Sequence, residues 1–371
     1  MFGILLLSLG TVLQLFAADD SGYFSVTGPC NLEFPKDHGS HSGYRTEWWY
    51  YTGNVDSENG NRFGFQLTFF RSQLSPAGAS RHWPKPASQW RTQHIYLAHA
   101  AISDLAGGRH LHAEESSRGA LGLAGVALNE TRITTVHLKN WYAKIGPENQ
   151  HLKAATDRFA FDLELIPTKK PILHGEAGYS RKGRASESAS CYYSFTRLKT
   201  RGSLTLNGKT FAVEGLSWMD HEFSTAPLEP GIVGWDWFSL ILSDRTELMV
   251  YVLRQKDGTI NPASSGTFVD PDGNSRHLTK EEFRVLVLDS WKSPNSEALY
   301  PVRWRLSVFP LSMELSIVSN LADQELQTTE STGVTYWEGS VSITGTANDH
   351  RIEGQGYVEL TGYAKAFDAP M

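Results

Sequence analysis

Short runs of alternating apolar and polar residues, separated by glycine-containing turns, are the feature that most constrains the fold of this chain. In "RFGFQLTFFR", Phe63, Phe65, Leu67 and Phe69 recur at every second position, which places them on one face of a β-strand. "ELMVYVLR", "FRVLVLDSW", "RWRLSVFP" and "MELSIVS" predict further strands, and "SENGN", "LNGKT", "KDGT" and "PDGN" predict turns. Long amphipathic helical windows are scarce, so the pattern predicts an all-β protein of sandwiches or barrels.

A weak internal repeat divides the 371-residue chain. "WWYYTGNVDSENGNRFGFQLTFFR" and "WDWFSLILSDRTELMVYVLR" each run from a tryptophan strand through a turn to an apolar strand that ends in arginine. "STAPLEPG", near residue 225, has the proline and turn-forming residues of a linker. The pattern predicts two similar barrels, over residues 19–224 and 225–371. Within the second, "HLTKEEF" predicts a short helix with Thr279 as N-cap and Glu282 closing a capping box.

The first residues, "MFGILLLSLGTVLQLFAADD", have the pattern of a secretory signal peptide. The apolar run is short for a membrane span, and cleavage is expected near Ala17 or Ala18, so residues 1–18 form the leader. The mature protein is therefore expected in the periplasm or outside the cell. Cys30 and Cys191 are the two cysteines. An exported protein permits a disulfide between them, and two buried free thiols are the alternative.

Charge and motifs argue against several functional classes. The net charge is −6 and no basic run stands out, which argues against nucleic-acid binding. The sequence contains no HExxH, paired zinc CxxC, GxSxG, GxGxxG, GKS or GKT motif. His94 and His99 are an odd number of positions apart, so on one strand they face opposite sides, which argues against a simple two-histidine metal site. No metal and no cofactor is expected.

The stretch "RTEWWYY" places a carboxylate directly before four aromatic residues, and we take as candidate ligand-binding residues Glu47, Trp48, Trp49 and Tyr50. In a strand, Glu47 and Trp49 share one face, and Trp48 and Tyr50 share the other. A carboxylate beside Trp49 inside a barrel is poorly solvated, so the pKa of Glu47 is expected to be raised, as in a general acid. The alternative is a buried ion pair of Glu47 with Arg71 or Arg254.

A second group of candidates lies in "LSWMDHEFS" and "GWDWF", and its members are Trp218, Asp220, His221, Glu222, Trp235, Asp236 and Trp237. Alternation puts Asp220 and Glu222 on the face of Trp218, with His221 opposite. These ionisable side chains can supply a proton shuttle or two metal ligands. Asp236 stands between two indoles, where a charge is costly unless it is used or satisfied. Its alternative role is a carboxylate that accepts hydrogen bonds from backbone or indole N–H groups.

At "FPKDHGSHSGYRTEWWYYTGN" the sequence resembles a family of exported lipocalin-like proteins. This family includes AttH and the carotenoid 1,2-hydratases (hydroxyneurosporene synthases), and its members are often labelled secreted hydrolases. The resemblance continues at "YLAHAAISD", at "LSWMDHEFS…GWDWFSL" and at "YWEGSVSITG…GQGYVELTGYA". It implies two lipocalin-like (calycin-type) antiparallel β-barrels packed together. The AttH branch is the nearer one, and some of its members are thought to work beside an ABC-type export system.

The resemblance to the hydratases also implies a mechanism. A carboxylic acid protonates an isolated C=C bond, aromatic faces stabilise the cation, and water captures it. Asp220 or Asp236 would donate the proton, and His221 would orient the acid or activate the water. The cation would be stabilised by Tyr50, Trp218, Trp235 and Trp237. This mechanism requires Asp220, His221 and Asp236 to converge on one cavity, where we also expect Glu47 and Trp49.

Three functions are compatible with these residues. The first is a periplasmic protein that binds a lipid or other apolar small molecule, as an accessory to an ABC transporter permease complex. The second is an enzyme, either a hydratase that adds water to an isoprenoid C=C bond or a secreted hydrolase. The third is a structural module whose tryptophans all lie in cores. The direction in which Asp220, His221 and Asp236 point distinguishes the enzyme from the other two.

Overall fold

A computed structural model describes residues 22–76, 78–79, 83–225 and 228–367 of the chain. The predicted leader, with its cleavage site near Ala18, lies outside the described residues. Within the described part of the chain, no helix has the length and apolar character needed to span a membrane. Strands dominate this part, and the helices are short 3-10 turns at Lys36–His38, Lys280–Glu282 and Phe309–Leu311.

The first sheet collects the strands that precede residue 225. They are β1 (Thr46–Ser57), β2 (Arg62–Gln73), β3 (His94–Asp104), β4 (Arg109–Arg118), β5 (Ala124–Leu128), β6 (Thr134–Leu138), β7 (Trp141–Ile145), β8 (Gln150–Ala155), β9 (Phe159–Pro167), β10 (Ile172–Leu173), β11 (Tyr179–Arg181), β12 (Ala189–Leu206) and β13 (Lys209–Ser224). The order is β4-β3-β2-β1-β13-β12-β9-β8-β7-β6-β5, and β10 and β11 pair with β12. This antiparallel sheet curls into a nearly closed barrel.

The second sheet collects the remaining strands. They are β14 (Ile232–Leu242), β15 (Glu247–Gln255), β16 (Ser265–Val269), β17 (Ser275–Thr279), β18 (Phe283–Lys292), β19 (Leu299–Val308), β20 (Met313–Ser319), β21 (Glu325–Thr328), β22 (Val334–Ala347) and β23 (His350–Thr361). The order is β17-β16-β15-β14-β23-β22-β20-β19-β18, and β21 pairs with β22. This antiparallel sheet is a half-barrel.

The predicted all-β class with two antiparallel sheets is confirmed, and the second sheet is more open than the predicted barrel. The first sheet ends at Ser224 and the second begins at Ile232. The division into domains 19–224 and 225–371 stays a prediction, because sheet membership does not measure independent folding. The capping box of the second sheet is confirmed: the Thr279 side chain and the Glu282 side chain each bond the other residue's backbone.

Alternation along the strands creates three apolar layers. Phe63, Phe65, Leu67 and Phe69 point into the first barrel, where all four are buried, as their spacing predicts. A second core lies inside the half-barrel, and a third, rich in tyrosine and tryptophan, lies between the two sheets. Gly64 lets the sheets approach closely, since a Cβ there would lie 2.9 Å from the Tyr357 hydroxyl. The sheets therefore meet face to face through residues on the outer face of the first barrel.

A disulfide joins Cys30 to Cys191 and ties the segment before β1 to strand β12. The two cysteines pack with Tyr44 and Phe223 in a small core at one end of the barrel. Of the two alternatives in the sequence, the structure therefore has the bridge, which closes a loop with a sequence separation of 161 residues.

Candidate active site between the two sheets

A cavity of about 400 Å³ lies between the two sheets. Strands β1, β2, β3, β12 and β13 supply one wall, and β14, β15, β22 and β23 supply the other. Its aromatic lining consists of Trp48, Tyr50, Phe70, Tyr192, Trp235, Trp237, Tyr251, Tyr336 and Phe367. Its carboxyl groups are Asp220, Glu222, Glu338 and Glu359. The cavity thus combines apolar, flat surfaces with several acids, which is the composition of a small-molecule site.

Asp220 points from β13 toward this cavity and is held by three donors. The Tyr192 hydroxyl donates to Oδ2 at 2.8 Å, the Trp218 indole donates to Oδ1 at 2.6 Å, and the Ser194 hydroxyl also donates to Oδ1. Burial raises the pKa of Asp220 to about 7, although these three hydrogen bonds oppose the rise. Asp220 is therefore a rigidly oriented carboxyl that can exchange a proton near neutral pH.

Glu338 and Glu359 form a facing pair on the second sheet. They are register partners on β22 and β23, and both line the cavity. Burial and repulsion from Glu359 raise the pKa of Glu338 well above its usual value. Burial raises the pKa of Glu359 to about 7. Oε1 of Glu338 is buried without a partner at ordinary hydrogen-bond geometry among the described residues, and the nearby Tyr50 and Tyr336 hydroxyls act to lower the pKa of Glu338.

A cation balances the remaining carboxylate of the cavity. Lys182 Nζ lies 3.2 Å from Glu222 Oε1 and 4.1 Å from the ring centre of Tyr251. Burial alone would lower the pKa of Lys182, but attraction to Glu222 outweighs burial and raises it. The Ser190 hydroxyl also donates to Glu222. This ion pair is already satisfied, so the acids that have a raised pKa are Asp220, Glu338 and Glu359.

His221 and Glu47 lie on the other side of the β1–β13 wall, inside the first barrel. Glu47 contributes to the cavity wall, but its carboxylate is turned away and receives Arg71 Nε at 2.7 Å, His41 Nδ1 at 2.6 Å and His221 Nε2 at 2.9 Å. Trp49 stacks on His221 with ring centres 4.7 Å apart. These side chains form a buried polar network around Glu47.

The expected raised pKa of Glu47 is wrong. Burial acts in that direction, but attraction to His41 and Arg71 and hydrogen bonds from His221 and His41 outweigh it, and the pKa lies well below its usual value. The alternative, a buried ion pair with Arg71, describes the side chain correctly. Glu47 therefore cannot serve as a proton donor near neutral pH.

Asp236 lies in a third compartment, inside the half-barrel. Its neighbours on the same face of β14, Phe238 and Leu240, belong to the core of the second sheet. Asp236 Oδ1 receives Arg254 Nε at 2.8 Å, and the Tyr363 hydroxyl lies 3.1 Å from both carboxyl oxygens. Burial raises the pKa of Asp236 while Arg254 opposes the rise. Arginine, rather than the indole N–H groups considered above, satisfies this carboxylate.

The expected convergence of Asp220, His221 and Asp236 on one cavity is therefore wrong. The strands place Asp220 between the sheets, His221 inside the first barrel, and Asp236 inside the half-barrel. The structure does bring together, around the cavity, Trp48, Tyr50, Trp218, Trp235 and Trp237 with Asp220. Trp49 and Glu47 belong instead to the network of His221. The binding and catalytic roles predicted for these residues stay predictions.

One group of side chains has the spacing of a possible metal site. The candidate ligand atoms of His41, Glu47 and His221 all lie within 4.8 Å of one another. Glu47 Oε1 already receives both rings at hydrogen-bond distance, and Arg71 neutralises Oε2. A guanidinium in contact with the only carboxylate ligand opposes a divalent cation. The donor set fits a hydrogen-bonded ion-pair network better than a metal centre.

The sequence patterns do not single out the cavity residues Glu338, Glu359 and Lys182. Glu338 in "YWEGS" and Glu359 in "GYVEL" are charges inside otherwise aromatic or apolar strands, which is the signal that marked Asp236. Their pairing depends on the register of β22 and β23, which is not visible in the sequence. Lys182 lies in a polar stretch, and nothing in its neighbours distinguishes it.

The chain is similar to proteins of a known family. A family model described as AttH-like matches residues 25–363. The crystal structure of a protein assigned as AttH from Nitrosomonas europaea is 33% identical, with a TM-score of 0.79, over 91% of this chain and 99% of that chain. Kievitone hydratase of Fusarium solani subsp. phaseoli is 24% identical over 243 residues, 62% of this chain and 67% of that protein.

The crystal structure of kievitone hydratase from Nectria haematococca shares the fold, with a TM-score of 0.68 at 16% identity over 94% of this chain and 98% of that chain. The fold and the family match together cover nearly all of the described residues. The resemblance predicted from the sequence is thus confirmed, and the chain belongs to the AttH-like family.

Proposed function

We propose that the protein is a hydratase that adds water to a C=C bond of an apolar small molecule bound between the two sheets. The observation that carries the proposal is the facing pair Glu338 and Glu359 in an aromatic-walled cavity. Both have a raised pKa, so a neutral carboxylic acid is available near neutral pH. The likeness to kievitone hydratase supports the same reaction class.

Glu338 is the proton donor in this mechanism. Its proton moves to one alkene carbon, the π electrons form the new C–H bond, and the other carbon becomes cationic. Tyr50 and Trp237 meet edge to face, with ring centres 5.1 Å apart beside the acids, and the aromatic faces of the cavity stabilise positive charge. Glu338 suits the role of donor better than Asp220, the donor expected from the sequence, because three donated hydrogen bonds favour the carboxylate form of Asp220.

Asp220 is the base in the second half of the reaction. A water oxygen attacks the cation, and one water proton passes to the Asp220 carboxylate as the C–O bond forms. The pKa of about 7 lets Asp220 take this proton and release it again near neutral pH. Return of the proton to the Glu338 carboxylate restores both groups, so the net reaction adds one water molecule.

Binding of a lipid or other apolar small molecule without turnover is the second candidate, and the apolar part of the cavity lining favours it. That lining includes Trp48, Phe70, Leu97, Leu228, Trp235 and Leu253. Export with cleavage near Ala18, a periplasmic or secreted location and a partnership with an ABC transporter permease complex remain predictions. N-terminal sequencing of the exported protein and copurification with a permease would test them.

Labelled water distinguishes the two candidates. The purified protein is incubated with kievitone, and separately with a linear isoprenoid alkene, in water that carries heavy oxygen. A hydratase gives a product whose mass has increased by one labelled water. Glu338→Gln should abolish this product while the protein keeps its melting temperature. Glu325→Gln, a buried glutamate of the same sheet that accepts a hydrogen bond from Ser293 at 2.7 Å, should keep the activity.

Three outcomes contradict different parts of this proposal. Recovery of the bound alkene without labelled oxygen supports the binding protein instead. An unchanged rate in Glu338→Gln would exclude Glu338 as the donor. Failure of both compounds to bind, measured by quenching of the cavity tryptophans, overturns the choice of an apolar ligand.

A further inference from the structure

A chain of side-chain hydrogen bonds links the surface of the first sheet to the cavity. Glu114 and His99 are register partners on β4 and β3. The Ser331 hydroxyl, on the loop between β21 and β22, lies 2.5 Å from Glu114 Oε2 and 2.8 Å from His99 Nε2. His99 Nδ1 lies 2.8 Å from the Tyr336 hydroxyl. Ser331, His99 and Tyr336 line the cavity, so this chain ends where the proposed acid is.

The chemistry of Glu114 fixes the direction of every bond in the chain. A carboxylate only accepts hydrogen bonds, so Ser331 donates its single proton to Glu114. The Ser331 oxygen is then free only to accept, and His99 Nε2 must carry the proton that it receives. His99 Nδ1 is left as an acceptor, and Tyr336 donates to it.

His99 is neutral, so its ring has one N–H donor and one acceptor nitrogen. Burial, with repulsion from His112, lowers the pKa of His99 to about 3. The ring also meets Phe70 edge to face, with centres 5.1 Å apart, which restrains its orientation. In a neutral ring with a fixed position, the nitrogen that donates to Ser331 determines that the other nitrogen accepts from Tyr336.

Tyr336 and Glu338 are two positions apart on the same face of β22, and both line the cavity. We propose that Glu114, acting through Ser331 and His99, fixes the Tyr336 hydroxyl toward His99, so that Tyr336 presents only oxygen lone pairs to Glu338 and favours its protonated form. This inference rests on the proposed function for its consequence, and it makes Glu114 a positioning residue outside the cavity.

Several other groups face the pair and are present in every variant. Glu359 on β23, Tyr50 on β1 and Tyr336 itself interact with Glu338, and Gln66 on β2 interacts with Tyr336. Donation of the Tyr336 hydroxyl proton to Glu338 would lower the pKa of Glu338, and donation of that proton to His99 removes this effect. Glu359 disfavours a charge on Glu338 by repulsion, and a hydroxyl that donates to Glu338 favours that charge. The direction of the Tyr336 hydroxyl is therefore one of the factors that set the proton occupancy of Glu338.

Glu114→Gln tests the proposal because the amide can donate. Oε1 of Gln can still accept from the Glu330 backbone N–H, as Glu114 does at 3.2 Å, while its amide group donates to Ser331. The chain can then reverse: Ser331 donates to His99 Nε2, His99 Nδ1–H donates to Tyr336, and Tyr336 can donate to Glu338.

Nitrogen NMR of the full protein reads the tautomer of His99 directly. The unmodified protein should show the proton on Nε2, and Glu114→Gln should move a substantial fraction of it to Nδ1. Ser331→Ala, which cuts the chain, should also leave His99 in a mixture. Glu115→Gln is the matched control, because Glu115 is the next residue of β4 and bonds Lys139 instead. A proton on Nδ1 in the unmodified protein, or no change in Glu114→Gln, overturns the proposal.

Carbon NMR titration of the Glu338 carboxyl, assigned by its loss in Glu338→Gln, supplies the second readout. Glu114→Gln should lower the pKa of Glu338 by about one pH unit, the order of one hydrogen bond to a carboxylate. An unchanged titration overturns the influence on Glu338. Neither NMR measurement depends on turnover. If the unmodified protein has no hydratase activity, the proposed function is contradicted, and the two NMR results still test the direction of the hydrogen bonds from Glu114 to Tyr336.

Discussion

Asp220 and His221 are neighbours in the chain, yet the backbone of β13 places their side chains on opposite sides of the wall between the first barrel and the cavity. Asp220 bonds Tyr192 and Trp218 on the cavity side, and His221 bonds Glu47 at 2.9 Å on the barrel side. Two adjacent ionisable residues thus belong to different networks. Substitutions at the two positions should therefore have separable effects.

Asp220→Asn should reduce hydratase activity or ligand binding with little change in melting temperature. Asn keeps the shape of the side chain, and its amide oxygen still accepts the hydrogen bond from Trp218. His221→Phe should do the reverse. It keeps the ring against Trp49 but removes the bonds to Glu47 and Tyr193, at a cost of about 1–3 kcal/mol for buried polar groups left without a partner. Thermal melts and cavity-ligand titrations of both variants measure the separation. Loss of binding in His221→Phe at full stability would contradict it.

Asp236→Asn should destabilise the fold and leave the cavity intact. The substitution leaves Arg254 without its carboxylate partner inside the half-barrel, and removal of one partner from a buried pair costs about 3 kcal/mol. Chemical denaturation measures the loss, and ligand titration should give an unchanged affinity. Asp272→Asn, in an exposed turn, is the control and should change neither. Weakened binding at unchanged stability would instead return Asp236 to the site.

The sequence predicts local features well because they depend on neighbouring residues. The period of Phe63 to Phe69, the capping box of Thr279 and the opposite faces of Asp220 and His221 all follow from backbone geometry that repeats every few residues. The outer face of β13 and the outer face of β22 enclose one cavity only because the two sheets pack there. No local sequence pattern shows how the sheets pack. The expectation that Asp220 and Asp236 share a cavity is therefore wrong, and the sequence does not indicate that Glu338 and Glu359 form a pair.

The disulfide should contribute strongly to stability. Replacing Cys30 and Cys191 together by Ser opens a loop with a sequence separation of 161 residues, and the loop-entropy estimate for so long a closure is about 5 kcal/mol. The double variant should therefore melt at a lower temperature and keep its strand content by circular dichroism. The unmodified protein should also show no titratable thiol when denatured without reductant. Two titratable thiols under those conditions would mean that the bridge does not form.

Glu359→Gln should change stability in a direction that depends on pH. The pKa of Glu359 is raised to about 7 in the folded protein from 4.5, so below pH 4.5 the group is protonated in both states. As pH rises from 4.5 to 7, Glu359 loses its proton in the unfolded chain but keeps it in the folded protein. The contribution of Glu359 to the free energy of unfolding therefore falls over this pH range.

At pH 5, Gln replaces a neutral carboxyl and the variant should melt close to the unmodified protein. At pH 8 the unmodified protein holds a buried charge that Gln lacks, so the variant should be the more stable by about 2 kcal/mol. This is less than the free energy that corresponds to the whole pKa shift, because the Glu359 side chain lines a cavity. Denaturation of both proteins from pH 5 to pH 8 gives this difference. Glu353→Gln, on the exposed part of β23, should show no such trend. A difference that stays constant with pH would show that Glu359 titrates normally and would remove one of the two acids on which the proposed chemistry depends.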